Sequence, residues 1–225
     1  EHNLVTDTSY TAILGGGDDQ VIASNRIQRA MLVMHDGGGI YAGFNKRMVY
    51  RDNYVSDIVD TGGYGASAYY LDEQAEDCVI EGNVSIGVDR PSQNHMARRN
   101  TIRGNLFVTT GKMRLDFARC VDYVVQDNVL SAGGEILLRA PAGGIAKSSG
   151  NLVFSKTGQA DWNQLTDYAD GPTKPWPKLY DVFANPKIER IEGKGWRITG
   201  RPAPGWQKAM QAGPRKNPAR ARDGG

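Results

Sequence analysis

An asparagine recurs along this chain at a nearly fixed interval, each time in the same setting. Two or three β-prone residues lead in, a short polar pair follows, then Asn, then an apolar pair. The clearest copies are Val49-Tyr50-Arg51-Asp52-Asn53-Tyr54-Val55, Val79-Ile80-Glu81-Gly82-Asn83-Val84-Ser85-Ile86, Thr101-Ile102-Arg103-Gly104-Asn105-Leu106-Phe107-Val108 and Val124-Val125-Gln126-Asp127-Asn128-Val129-Leu130. Weaker copies place Asn3, Asn25 and Asn151 in similar surroundings. The steps from Asn3 to Asn151 are 22, 28, 30, 22, 23 and 23 residues, so the two long steps read as a base turn with six to eight residues inserted.

A period of this length marks stacked supersecondary units, each burying its apolar face on the next. Asn, or Gly-Asn and Asp-Asn, tolerates the left-handed backbone of a sharp corner between two short strands. Asparagines stacked at such corners can hydrogen-bond along the stack as amide ladders do. Val79, Ile80, Val84 and Ile86 flank one corner as interior filling, and no 3.6-residue stripe runs through the region. The spacing predicts an all-β parallel β-helix over residues 1–158, a solenoid of 22–30-residue rungs.

Beyond Gly158 the repeat gives way to Pro and Trp. Residues 159–206 read as an irregular segment packing back on the coil, with a hairpin between Ile188 and Ile198. Trp162, Trp176, Trp196 and Trp206 read as capping core rather than a sugar-stacking platform. From Gln207 to Gly225 there are five basic residues and one acidic residue, which reads as a solvated, disordered tail rather than a nucleic-acid arm. The chain opens at a corner asparagine with no evident cap over the first rung, so a larger parent protein is expected.

Composition narrows the class. A net charge of +2, with 40% hydrophobic and 23% charged residues, suits a folded soluble chain. Apolar runs such as Met31-Leu32-Val33-Met34 are far too short to span a membrane. Glycine stands at 28 of 225 residues, well above the usual ~7%. Cys78 and Cys120 form no metal or disulfide motif and read as small buried hydrophobes.

This coil resembles the right-handed parallel β-helix superfamily, the architecture of pectate lyases, polygalacturonases and many carbohydrate-active enzymes. Two segments strengthen the likeness: His35-Asp36-Gly37-Gly38-Gly39-Ile40-Tyr41 and Ala68-Tyr69-Tyr70-Leu71-Asp72-Glu73 resemble the "DGGxIY" and "YLD" stretches of bacterial glycosidases and lyases of that fold. The resemblance implies a secreted protein with a polysaccharide partner, neither nucleic acid nor membrane, and no cofactor unless a lyase used Ca²⁺. Monomer and homotrimer both stay open.

Counting back from each corner locates candidate chemistry. Twelve or thirteen residues before Asn53, Asn83, Asn128 and Asn151 lie Ile40-Tyr41-Ala42, Tyr70-Leu71-Asp72, Leu115-Asp116-Phe117 and Leu137-Leu138-Arg139. With a one-residue slip allowed between rungs, Leu71, Leu115 and Leu138 stack inward while Asp72, Asp116 and Arg139 share an outward column. Asn94 and His95 fall near the same column. Two rungs of strand spacing put the backbones of Asp72 and Asp116 roughly 9–10 Å apart, close to what an inverting glycosidase needs. The candidate catalytic residues are Asp72 and Asp116, with Asp36 or Glu73 as a substitute partner. His35, Tyr41, Tyr70, His95, Arg114 and Arg139 are candidate substrate-binding residues, arginine being suited to acidic sugars. The two long rungs add His35, Asp36 and the Gly37-Gly38-Gly39 run, and Asp57, Asp60 and Thr61-Gly62-Gly63-Tyr64-Gly65, as walls of a groove.

Three functions fit. A glycoside hydrolase using a carboxylate pair leads. A polysaccharide lyase would use the same face, with Asp57/Asp60 or Asp72/Glu73/Glu76/Asp77 as oxygen ligands for Ca²⁺. A non-catalytic polysaccharide-binding or structural coil is the third.

Overall fold

In the computed structural model the described residues are 1–164, 179–191, 195–198 and 208–214. They form a right-handed parallel β-helix of about seven turns. Three parallel sheets run along the coil. One carries the strands before each corner asparagine, such as Val79–Glu81 and Thr101–Arg103. The second carries the strands after it, such as Val84–Ile86 and Leu106–Thr109. The third, the groove sheet, carries Ile13–Gly15, Gly37–Ala42, Ala66–Leu71, Ser92–His95, Met113–Ala118, Ile136–Ala140 and Ala160–Gln164.

The corner divides its labour between two residues. The left-handed backbone belongs to the residue before each asparagine: Ser24, Asp52, Gly82, Gly104, Asp127 and Gly150 all have φ between 55° and 68°. The asparagine supplies the ladder. Asn83 accepts at Oδ1 from the backbone N–H of Asn53 at 2.9 Å and from its side-chain amide at 3.0 Å, and the same two bonds recur at every step from Asn3 to Asn151. The remaining amide proton goes to a strand carbonyl, as from Asn105 Nδ2 to Ile80 O at 2.9 Å. From Asn25 to Asn151 these amides are buried and paired, which is the condition for placing them in a core.

Inside the coil, aliphatic and aromatic side chains form one continuous core that includes Ile40, Tyr69, Leu71, Leu115, Phe117 and Leu138. A fully buried side chain of this size contributes about 2–3 kcal/mol relative to exposure. Cys78 and Cys120 are free thiols within it, and burial pushes the Cys78 thiol up to about 11.

The coil runs on past residue 158. Ala160–Gln164 pairs with Ile136–Ala140, and Val182–Phe183 joins the sheet after the corner. Ile188–Ile191 and Gly195–Ile198 form an antiparallel hairpin. Residues 208–214, placed by the sequence in a free basic tail, lie against the coil instead. A short 3₁₀ turn, Ala209–Gln211, packs on Tyr54, Val84, Ile86 and Leu106, and Gly213 N–H donates to Ser24 O at 2.9 Å. Trp176 and Trp206 lie outside the described residues, as do the side chains of Trp162 and Trp196 and the chain from 215 to 225. Among the described residues no helix is long and apolar enough to cross a membrane.

Candidate active-site groove

The groove sheet has a continuous register. Tyr41 pairs with Tyr70, Tyr70 with Gln93, Gln93 with Asp116, and Asp116 with Arg139. Alternation along each strand turns this column outward and the residues beside it inward. Leu115 and Leu138 stack as expected, but Leu71 aligns with Asn94 and so with Phe117.

Asp72 is therefore not in the column of Asp116. It stands two residues beyond Tyr70, just past the end of Ala66–Leu71, where Ala75 N–H donates to its carbonyl to close a turn. Two rungs across and two residues along place the two backbones about 12 Å apart, farther than the sequence suggested. Glu73 lies in that same turn, which releases it from the inward position an unbroken strand would impose.

The structure brings most of the candidates together. Asp36, Tyr70, Asp72, Glu73, His95, Arg114, Asp116 and Arg139 line one groove of about 660 Å³, with Gly63, Tyr64, Arg90 and Gln93 as further lining. Tyr41 and His35 act from behind it. Tyr41 Oη donates to Asp72 Oδ2 at 2.8 Å, and its ring meets Tyr70 edge-on at 4.9 Å between centroids. His35 is exposed, lies against Gly63 and tilts toward Tyr64, so it props the wall. The Gly37-Gly38-Gly39 run is no groove wall. It is buried in a strand, and a methyl on Gly39 would collide with Val55.

Two carboxyls in this groove have opposite surroundings. Asp72 also meets His95 Nδ1, 2.9 Å from Oδ1. A carboxylate at this distance accepts from Nδ1–H, and a neutral ring in that tautomer carries its acceptor at Nε2. Asp116 is buried among three guanidiniums: Arg114 Nε is 2.8 Å and Arg90 Nε 3.3 Å from Oδ2, and Arg139 Nη1 is 3.5 Å from Oδ1. Even so, Oδ1 of Asp116 and Nε of Arg114 are buried with no hydrogen-bond partner. Burial pushes the Asp116 carboxyl above its usual value, and Arg114 and Arg139 pull against that rise. Burial, with the nearby carboxylates, also raises the hydroxyls of Tyr41 and Tyr70, which keeps them protonated donors.

Sequence reasoning missed Arg90 and Gln93, and had Tyr64 only as part of a wall loop. Arg90 Nη1 donates to Tyr64 O at 2.7 Å and to Gln93 Oε1 at 2.8 Å, tying wall to floor. Gly65, with φ of 84°, leaves room for that guanidinium where a side chain would meet it. Gln93 was findable, since it precedes Asn105 by the same twelve residues that separate Asp116 from Asn128.

Two of the carboxylates suggested for Ca²⁺ are engaged by cations. Glu76 is engaged by Lys46, Arg98 and Arg99, and Asp77 by Arg99. Among the described residues no group of three or more His, Cys, Asp or Glu is placed to hold a metal ion. A second depression of about 430 Å³ lies over the asparagine corner, and its two arginines pair within it, Arg51 with Asp52 and Arg103 with Glu81.

No family model matches this chain, and no curated protein or solved structure matches it. The likeness to β-helix proteins is carried by the coil itself.

Proposed function

We propose that this groove hydrolyses glycosidic bonds of a polysaccharide by carboxylate acid–base catalysis, with inversion at the anomeric carbon. One observation carries the reading: two carboxyls share the groove in opposite environments. Asp116 is buried and pushed toward its protonated form, the state required of the acid that protonates the leaving oxygen. Asp72 is oriented by Tyr41 and His95, and each of its oxygens keeps a lone pair for the attacking water.

The spacing supports inversion. Aspartate side chains that stand outward from the coil across a backbone gap of about 12 Å hold their carboxyls wider than the about 5–5.5 Å of a retaining pair. Leaning toward each other, they can reach the about 6.5–9.5 Å that leaves space for a water. Tyr64, exposed on the wall, offers a ring face to a sugar.

The arginines favour a second reading, β-elimination on a uronic acid. Guanidiniums would neutralise the sugar carboxylate while His95 Nε2 removed the neighbouring carbon-bound proton.

A panel of neutral and acidic polysaccharides separates the two. Reducing ends and the ultraviolet absorbance of unsaturated uronate are read together for wild type, Asp72→Asn and Asp116→Asn. Hydrolysis predicts reducing ends without absorbance, lost in both variants. Absorbance rising with the reducing ends moves the assignment to a lyase. Silence on every substrate sinks the enzymatic reading.

A further inference from the structure

The groove is electrically lopsided. Asp36, Asp72 and Glu73 hold one end, while Arg90, Arg114 and Arg139 surround the single carboxyl of Asp116 at the other. Asp60, half-exposed, also reaches Arg90 at 4.0 Å, so three guanidiniums face two carboxyls and an excess of one positive charge remains. Any protonation of Asp116 enlarges that excess.

Several arginines on the rest of the coil each meet a carboxylate of their own. Arg29 pairs with Asp7, Arg47 with Asp19 and Arg103 with Glu81. Glu76 also gathers three cations, Lys46, Arg98 and Arg99. Those side chains are 46–59% exposed, so water serves them, and Asp77 shares Arg99. Arg90 has little water, with its side chain 10% exposed, and its second carboxylate, Asp60, stands at 4.0 Å.

The donors point the same way. Arg114 and Arg139 contact Asp116 as ion pairs, and each side chain is 36% exposed on the groove, with no second carboxylate among the described residues paired to it. Buried Asp116 Oδ1 and Arg114 Nε lack partners at the same spot. A planar guanidinium fork matches a carboxylate or sulfate group with two parallel hydrogen bonds.

We infer that this end of the groove is a subsite for an anionic substituent of the glycan, a carboxylate or a sulfate ester, held by Arg114 and Arg139 with Arg90 behind them. The inference rests on the groove being a glycan site and adds the class of glycan. Arg90, tied to Tyr64 O and Gln93, supplies fixed charge, and the two more exposed arginines supply the contacts.

The test is binding, measured by calorimetry on Asp72→Asn so that nothing is cleaved. The probes are oligomers of polygalacturonate, glucuronoxylan and alginate with their carboxyl-reduced forms, and sulfated galactans with their desulfated forms. The acidic member of at least one pair is expected to bind about tenfold or more tightly than its neutral twin. That gap shrinks as salt rises, and Arg114→Gln and Arg139→Gln each remove most of it. Arg103→Gln, whose partner is Glu81 on another sheet, leaves it unchanged. Preference confined to uronates identifies a carboxylate subsite; preference confined to sulfated galactans identifies a sulfate subsite. Equal binding within every pair, no binding by any acidic probe, or a gap that survives both substitutions overturns the inference. Cleavage of glycans by wild type with no acidic preference defeats this subsite and leaves the hydrolase standing. Selective acidic binding with no cleavage does the reverse.

Discussion

Two columns of residues run along this coil, written in opposite ways. The corner column repeats one residue, Asn, at every turn from Asn3 to Asn151, and each member makes the same two bonds to the next. The outward column of the groove sheet reads Tyr41, Tyr70, Gln93, Asp116 and Arg139. Every turn poses the corner the same problem, a left-handed step beside a buried amide, so one solution recurs. The groove column poses no such problem. Its backbone is satisfied by neighbouring strands whatever the side chain is, and its side chains are free to differ. In a solenoid, repetition marks what holds the turns together, and its lapse marks what one turn does alone.

The comparison breaks most sharply if a groove substitution unfolds the protein or a corner substitution spares it. Asp116→Asn is expected to cut kcat by about 10²–10⁴-fold, the usual worth of a general acid, while circular dichroism and the unfolding midpoint stay near wild type. Asn105→Ala is the converse. It strips the acceptor from both the N–H and side-chain amide of Asn83 and leaves Ile80 O without its donor. At about 1–3 kcal/mol per stranded buried group, a loss of about 4 kcal/mol is expected in urea unfolding. A loss below about 1 kcal/mol would show the ladder to be incidental.

Smaller effects sharpen it. Tyr41→Phe removes one donor from Asp72 and is expected to lower kcat/KM about five- to tenfold, in line with one hydrogen bond of about 1 kcal/mol. Asp116 also sets a pH dependence. Its folded-state value is raised by burial, so the folded state holds that proton more tightly than the unfolded chain. Stability from this group is fullest below the normal carboxylate range and is lost as pH rises through the raised value. Asp116→Asn should therefore gain on wild type as pH climbs toward neutrality, which paired thermal melts across pH would read. Smallest of all, Arg103→Ala breaks an exposed ion pair with Glu81 and is expected to change stability by about 0.5 kcal/mol or less.

What could be read from the sequence divides along the same line. The corner was legible because one residue type returns at a counted interval, although the left-handed position proved to be the residue before it. The groove register was legible for four of its five rungs. Tyr41, Gln93, Asp116 and Arg139 each precede their corner asparagine by twelve residues, whereas Tyr70 precedes Asn83 by thirteen. The extra residue is taken up in the turn beginning at Asp72, and nothing in the local composition announces it. Counting back twelve from Asn83 reaches Leu71, and the one-residue slip allowed between rungs then put Asp72 in the wrong column, while its neighbourhood with His95 came out right. The arginine cluster was half seen, since Arg114 and Arg139 lie on groove strands. Arg90 lies in a connection of variable length, where counting from the corner carries no information.

Arg90 gives the molecule a mechanical property. One nitrogen of its guanidinium grips the carbonyl of Tyr64 on the 57–65 loop, and another lies against Asp116 on the floor. The loop is thus leashed to the charge it overhangs. Wall and floor share a single brace, and removing the Arg90 guanidinium would release both together.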